Sequence, residues 1–272
     1  MPIQSSLFPP LQNETIRAAE TVSSRNIYLT IGDQLEHLLA DIELARLNPS
    51  SAWSTSTLTI LALVTIFQFT EDLPDHRAAE AARIRPDWKY ALHLSPNQPG
   101  VSPSMLCEFR QSLLRDLAAR QAFQQVLDRL AETELLGNAD GRQIAASEVV
   151  AAVCGVSRLE RLIEAIRMVL EAAAAVEPEQ LRMITLPHWY ERYSQMQTTR
   201  ALPKSLEEQA VLAYAIGTDA TYLLEAIAQT DNHLTSLPEA RALHQIYLEQ
   251  FDRSEHRIQW RTSASCASCF SP

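Results

Sequence analysis

The sequence predicts a mainly α fold, and three observations carry that expectation. Glycine is scarce, six in 272 residues, while Ala, Leu, Glu, Gln and Arg dominate, and these residues sit comfortably in helices. Apolar residues recur at three- and four-residue spacing along most of the chain. Asp, Ser and Pro stand where helix starts and stops need them. Only two short stretches read as strand.

Taken in order, residues 1–25 form a lead-in arm with Pro2, Pro9 and Pro10 and one short helix. Residues 26–47 read as a helix or helix pair, with Leu35, Leu38, Leu39, Ile42 and Leu47 at helical spacing. A Ser-rich linker carrying Trp53 follows over 48–56. The run from Leu58 to Phe69 is apolar on all sides, which predicts a buried helix; it is shorter than the roughly 20 residues a bilayer requires. Thr70, Glu71, Asp72 and Pro74 close it. Asp75 is then placed to cap a helix over 76–84, which stops before Pro86 because a residue preceding proline avoids the helical region. Asp87 restarts a brief helix with Trp88, Lys89 and Tyr90. After a loop holding Asn97, Pro99 and Gly100, Ser102 caps a longer helix with Pro103 in its first position. An apolar stripe through Leu114, Leu117, Phe123, Val126, Leu127 and Leu130 continues the helical reading to Leu136.

Gly137 to Gly141 is a turn by composition. The stretch 142–153, RQIAASEVVAAV, ends in β-branched residues and is the best strand candidate, although its alanines keep a helix open. Residues 155–176 form an amphipathic helix that Pro178 ends. Trp189, Tyr190 and Tyr193, within 181–196, read as core aromatics. Three further helices are expected over 203–216, 221–230 and 238–251, then a short strand over 256–260, and a small, polar tail over 262–272. Two isolated strands are marginal in water and leave an open edge, so a frayed remnant, or pairing in an oligomer, is expected there.

Composition limits the function. The chain is 46% apolar and 21% charged, as a folded soluble protein is. A net charge of −10 argues against indiscriminate binding to nucleic acid, so any DNA contact must be local. The N-terminal MPIQSSLFPPL lacks the basic and long apolar regions of a signal peptide, and Cys107, Cys154, Cys266 and Cys269 make no disulfide framework. A cytoplasmic location, nucleoid-associated if DNA is bound, is the expectation, and no membrane partner. Cys266-x-x-Cys269 has the spacing of half a zinc site, but a structural zinc needs four ligands; His256 is ten residues upstream, Cys154 is remote, and the pair reads as incidental. No Gly-rich phosphate loop, HExxH helix or serine nucleophile elbow occurs.

The string FQFTEDLPDHRAAEAARIRPDWKYAL and, after the loop, SMLCEFRQSLL resemble the N-terminal helical domain of bacterial insertion-element transposases of the DDE (Asp-Asp-Glu) class. The likeness runs upstream through Tyr28 to Leu47 and downstream to about Trp260. It implies a helix-turn-helix-like DNA-binding domain over 26–136. A ribonuclease H-like catalytic domain would follow over 137–261, represented by a one- or two-strand remnant of its sheet and a long helical insert over 155–251. It also implies duplex DNA at element ends as partner, with a homo-oligomer or the full-length transposase as a protein partner. Arg77, Arg83, Arg85, Lys89, Arg110 and Arg115 become the candidate phosphate contacts. Nearby Glu71, Asp72, Asp75, Glu80, Asp87 and Glu108 nearly cancel them in number, so a salt-bridged surface remains an equal reading of these residues.

Enzymes of this class hold two Mg²⁺ ions with three carboxylates. The resemblance puts the first carboxylate at Ala146, and a methyl group ligates no metal. On a strand Glu148 would share the face of residue 146 but sit about 6–7 Å away. The second Asp and the Glu would fall beyond Pro272. The expectation is therefore a truncated transposase without catalytic or metal-binding residues. An alternative is a regulator that associates with full-length transposase and inhibits it.

Overall fold

The structure, a computed structural model, describes residues 10–23, 26–47, 53–137, 143–193, 202–230, 233–254 and 257–261. Among them are twelve α-helices and one two-stranded antiparallel sheet, the mainly α fold that the sequence predicts. The chain divides into two compact units, Met1–Cys154 and Gly155–Pro272.

The first unit is built on α3 (Thr55–Thr70). Ser54 caps it by accepting the Thr57 N–H at 3.2 Å. Leu61, Ala62, Leu63, Val64, Ile66 and Phe67 are all buried, as an all-round apolar helix must be. Before it come α1 (Asn13–Ala19), α2 (Ile27–Leu38, capped by Asn26) and a 3₁₀ turn at Leu44–Leu47. α4 (Asp75–Ile84) leaves α3 at 116°. α5 (Pro86–Ala91) and α6 (Pro103–Arg115) follow, the latter capped by Ser102, which accepts the Met105 N–H at 3.3 Å. The stripe expected to run unbroken to Leu136 is interrupted at Asp116. Its carboxylate accepts the N–H groups of Ala118 and Ala119 at 2.8 and 3.2 Å and starts α7 (Leu117–Glu132). Rings of Tyr28, Phe67 and Trp88 meet edge-on or tilted, with centroids 4.7–5.9 Å apart, and join α2, α3 and α5.

Few glycines leave a mark on the helix ends. α3, α5 and α7 each end in a paired-bond reversal in which an N–H reaches back to the carbonyl five residues earlier: Leu73 to Gln68, Leu94 to Lys89 and Leu135 to Leu130, at 2.8–3.0 Å. The left-handed residue in each is Asp72, His93 or Glu134, with φ of 53, 52 and 59°, where glycine is usual.

The strand expected over 142–153 is not formed. Gly137 and Gln143 make one isolated bridge, and α8 (Ala146–Val176) then runs 31 residues without a break. Alanine content favours this outcome, and the buried residues Ala146, Val149 and Val153 repeat at helical spacing within the first unit's core.

In the second unit, Leu159, Leu162, Ile166 and Val169 of α8 pack in one core with Ile216, Ala220, Leu223 and Ile227 of α11 (Leu206–Ala228) and Leu243 and Tyr247 of α12 (Pro238–Gln250). α9 (Pro178–Ile184) and α10 (His188–Tyr193) lie between α8 and α11 in sequence. Of the three expected core aromatics, Trp189 and Tyr193 are buried, and Tyr190 is 80% exposed. Tyr193 donates to buried Asp219 at 2.6 Å, and Arg192 and His188 also face that carboxylate. The two helices expected over 203–230 are one, because Gly217 does not end it. Gly217 instead admits the Phe251 ring, 2.7 Å from where a Cβ would lie. α11 is long and apolar enough to cross a bilayer by length and composition, but one side of it lies in this core.

Phe251 begins β1 (Phe251–Ser254), which pairs with β2 (Arg257–Trp260) in the register Phe251↔Trp260. β2 matches the expected strand; β1 starts where the preceding helix was expected to end. Buried Arg158 anchors this hairpin. It donates to the carbonyls of Arg261 and Gln250 at 2.8 and 3.3 Å, and its guanidinium lies 4.3 Å from the Trp260 ring. The larger part of the expected linker, the turn after Gly137, and the tail with Cys266 and Cys269 lie outside the described residues.

Candidate nucleic-acid interface

The six cations singled out in the sequence lie on α4, at the α4–α5 junction, on α5 and on α6. Burial divides them into two groups.

Arg110 of α6 is 1% exposed. Its NH1 and NH2 donate to the two carboxylate oxygens of Asp75 at 2.9 and 2.7 Å, and the Gln68 amide donates to the same carboxylate at 2.5 Å. This two-pronged, buried pair joins α3, α4 and α6. It also corrects the expected role of Asp75: Pro74 occupies the cap position, no side chain caps α4, and the Asp75 carboxylate turns to Arg110.

Arg85, the residue before Pro86, is held as firmly. Its NH1 donates to Glu71 at 2.5 Å, and its Nε and NH2 donate to the two oxygens of Asp87 at 3.0 and 2.7 Å. The guanidinium lies 5.5 Å from the Tyr28 ring centroid and 5.0 Å from that of Trp88. Glu71 also accepts the Tyr28 hydroxyl at 2.5 Å and the Trp88 indole N–H at 3.3 Å. Asp87 also accepts the Asn26 amide at 3.1 Å and the Trp88 backbone N–H at 2.9 Å. Burial alone would raise the Asp87 pKa, but the hydrogen bonds and charge of Arg85, with those from Asn26 and Trp88, outweigh it and hold the carboxyl below its usual value. Burial, then the bond to Glu71, pushes the Tyr28 phenol well above its ordinary range, so it stays a donor.

Lys89 is 4% exposed and its ammonium donates to the carbonyls of Ser95 and Gln98 at 3.0 and 2.8 Å, tying down the loop after α5. Burial, helped by the charge of Arg83, lowers its pKa. These three cations are therefore internal fasteners, and a phosphate cannot reach Arg110 or Lys89 without rearrangement.

The other three are at the surface. Exposed Arg77 pairs with half-buried Glu80 one turn on at 2.9 Å. Arg83 in the last turn of α4 and Arg115 at the end of α6 are exposed and hold no ion pair among the described residues. Sequence reasoning found the six cations but counted their acidic neighbours only in bulk. It missed that Glu71, Asp75 and Asp87 each select one arginine, because those partners lie up to 35 residues apart.

At the position where the resemblance would need its first carboxylate, Ala146 is buried at the start of α8, and Glu148 is exposed. On a helix the two are about 200° apart, not on a common face as on a strand. The residues here do not fit Mg²⁺. Among the described residues no group of three or more His, Cys, Asp or Glu is placed to hold a metal. The chain matches no protein-family model, no curated protein and no solved structure.

Proposed function

We propose that the chain derives from a DDE-class transposase and uses its first unit to recognise duplex DNA at element ends, without cleaving it. The observation that carries the DNA-binding part is two exposed arginines, Arg83 on α4 and Arg115 on α6, that hold no ion pair among the described residues. With Arg77 they supply at most three phosphate contacts, which suits local binding by a chain of net charge −10. The absence of cleavage is supported by Ala146, whose side chain offers no metal ligand.

The test is fluorescence anisotropy with duplexes from the inverted repeats flanking the gene, against random duplexes, at two salt concentrations. Tighter binding to the repeats supports the reading; equal binding to both, or none, refutes it. A second reading, a regulator that binds full-length transposase, is favoured by a different observation: most exposed large apolar side chains belong to the second unit. Co-purification with intact transposase, without DNA affinity, would select it.

A further inference from the structure

The second unit contains a cavity of about 770 Å³ between the C-terminal half of α11 and the face of α12, closed at one end by the root of the hairpin. It is independent of the DNA-binding reading. Its volume is within the range of small-molecule sites, roughly 300–1,000 Å³. Leu224, Leu248 and Phe251 give it an apolar floor, and Leu248 is half-exposed, although a residue of its size would gain from being covered.

The polar groups are not evenly spread. Arg241 and His244, both exposed, line the α12 wall. They are three residues apart on a helix, which puts them about 5–6 Å apart at Cβ and lets both reach one small anion. Arg241 donates through NH2 to the Ser236 carbonyl at 3.2 Å, which orients the guanidinium. Two acidic residues also line the cavity. Asp252, at the hairpin root, accepts from Arg261 at 3.0 Å and is neutralised by it. Glu225 stands on the α11 wall.

We propose that this cavity binds an amphipathic monoanion, an apolar chain or ring ending in a carboxylate. The apolar body lies on Leu224, Leu248 and Phe251, and the head group is held by Arg241 and His244, with Glu225 on the facing wall opposing it. The charge on the α12 wall selects an anionic head, and the floor selects an apolar body; a free inorganic anion would use only the first.

Isothermal titration calorimetry of the full chain with decanoate and with 1-decanol tests this. Decanoate binds at least tenfold more tightly than decanol. Arg241→Ala with His244→Ala removes that difference and leaves decanol affinity unchanged, and Glu225→Gln tightens decanoate a few-fold. Ala228→Trp, at the exposed end of α11, fills the cavity and abolishes binding of both. If the double variant loses its helical circular dichroism, the Ala228→Trp and Glu225→Gln results decide. No binding of decanoate, equal affinity for decanoate and decanol, or decanoate binding that survives Ala228→Trp overturns the proposal.

Discussion

The two units solve the same helical packing problem with a different balance of buried charge and apolar contact. The first unit fastens its helices with charge: Arg110 to Asp75, and Arg85 to Glu71 and Asp87, all drawn inward. Among its described residues the exposed large apolar side chains are Ile16, Ile84 and Leu117. The second unit also buries charge, at Arg158 and in the Asp219–Arg192 pair, but adds close apolar approach where Gly217 receives Phe251 and keeps Val211, Tyr214 and Tyr222 along one exposed side of α11. Buried ion pairs fix which helices meet, because each charge left alone would be costly. Apolar surface left outside instead favours association. Both units use buried charge to fix their packing, and the second has the larger capacity for apolar contacts at its surface.

The largest expected effect falls on the buried pair. Arg110→Ala leaves Asp75 without its partner and lowers unfolding free energy by about 3–5 kcal/mol. Urea denaturation would show it, and a loss below about 1 kcal/mol would break the comparison. Replacing Arg110 and Asp75 together by Met and Leu restores much of the loss.

Asp87→Asn should cost about 1.5–3 kcal/mol near neutrality, the scale of hydrogen bonds to a charged group. The wild-type carboxyl titrates lower in the folded chain than in the unfolded one. Its contribution is therefore complete above about pH 4, the ordinary carboxylate value, and is lost as pH falls through the lower folded value. Stability measured against pH should lose that part of its acid dependence in the variant; an unchanged acid limb would contradict the role given to Arg85 and Asp87.

Gly217→Leu tests the second unit's device. The side chain meets the buried Phe251 ring and overpacks the core, costing about 1–3 kcal/mol. Thermal unfolding equal to wild type would mean that the contact is slack.

Much of this architecture was legible in the residues, and the misses have a common cause. The run 58–69 could only be a buried helix, and Ser102 with Pro103 marks a helix start without any tertiary information. The stretch 142–153 was misread because Val149, Val150 and Val153 look like a strand locally, while the helical repeat of Ala146, Val149 and Val153 matters only once a core exists to receive it. The single helix α11 reads as two for the same reason: nothing near Gly217 in sequence reveals that Phe251 needs the space there. Asp75 looked like a cap because its true partner, Arg110, is distant in the chain. At the candidate interface the cations were visible, and only burial could separate the fasteners from the free ones.

That separation is the central claim, and the salt dependence of DNA binding tests it most directly. Each phosphate contact contributes about −0.9 to the slope of log K against log salt. The account predicts a slope no steeper than about −3 for each bound chain, reduced by about 2 in the Arg83→Ala, Arg115→Ala variant with its thermal stability unchanged. A slope unaffected by that double substitution would contradict the account, as would the absence of DNA binding at any salt concentration.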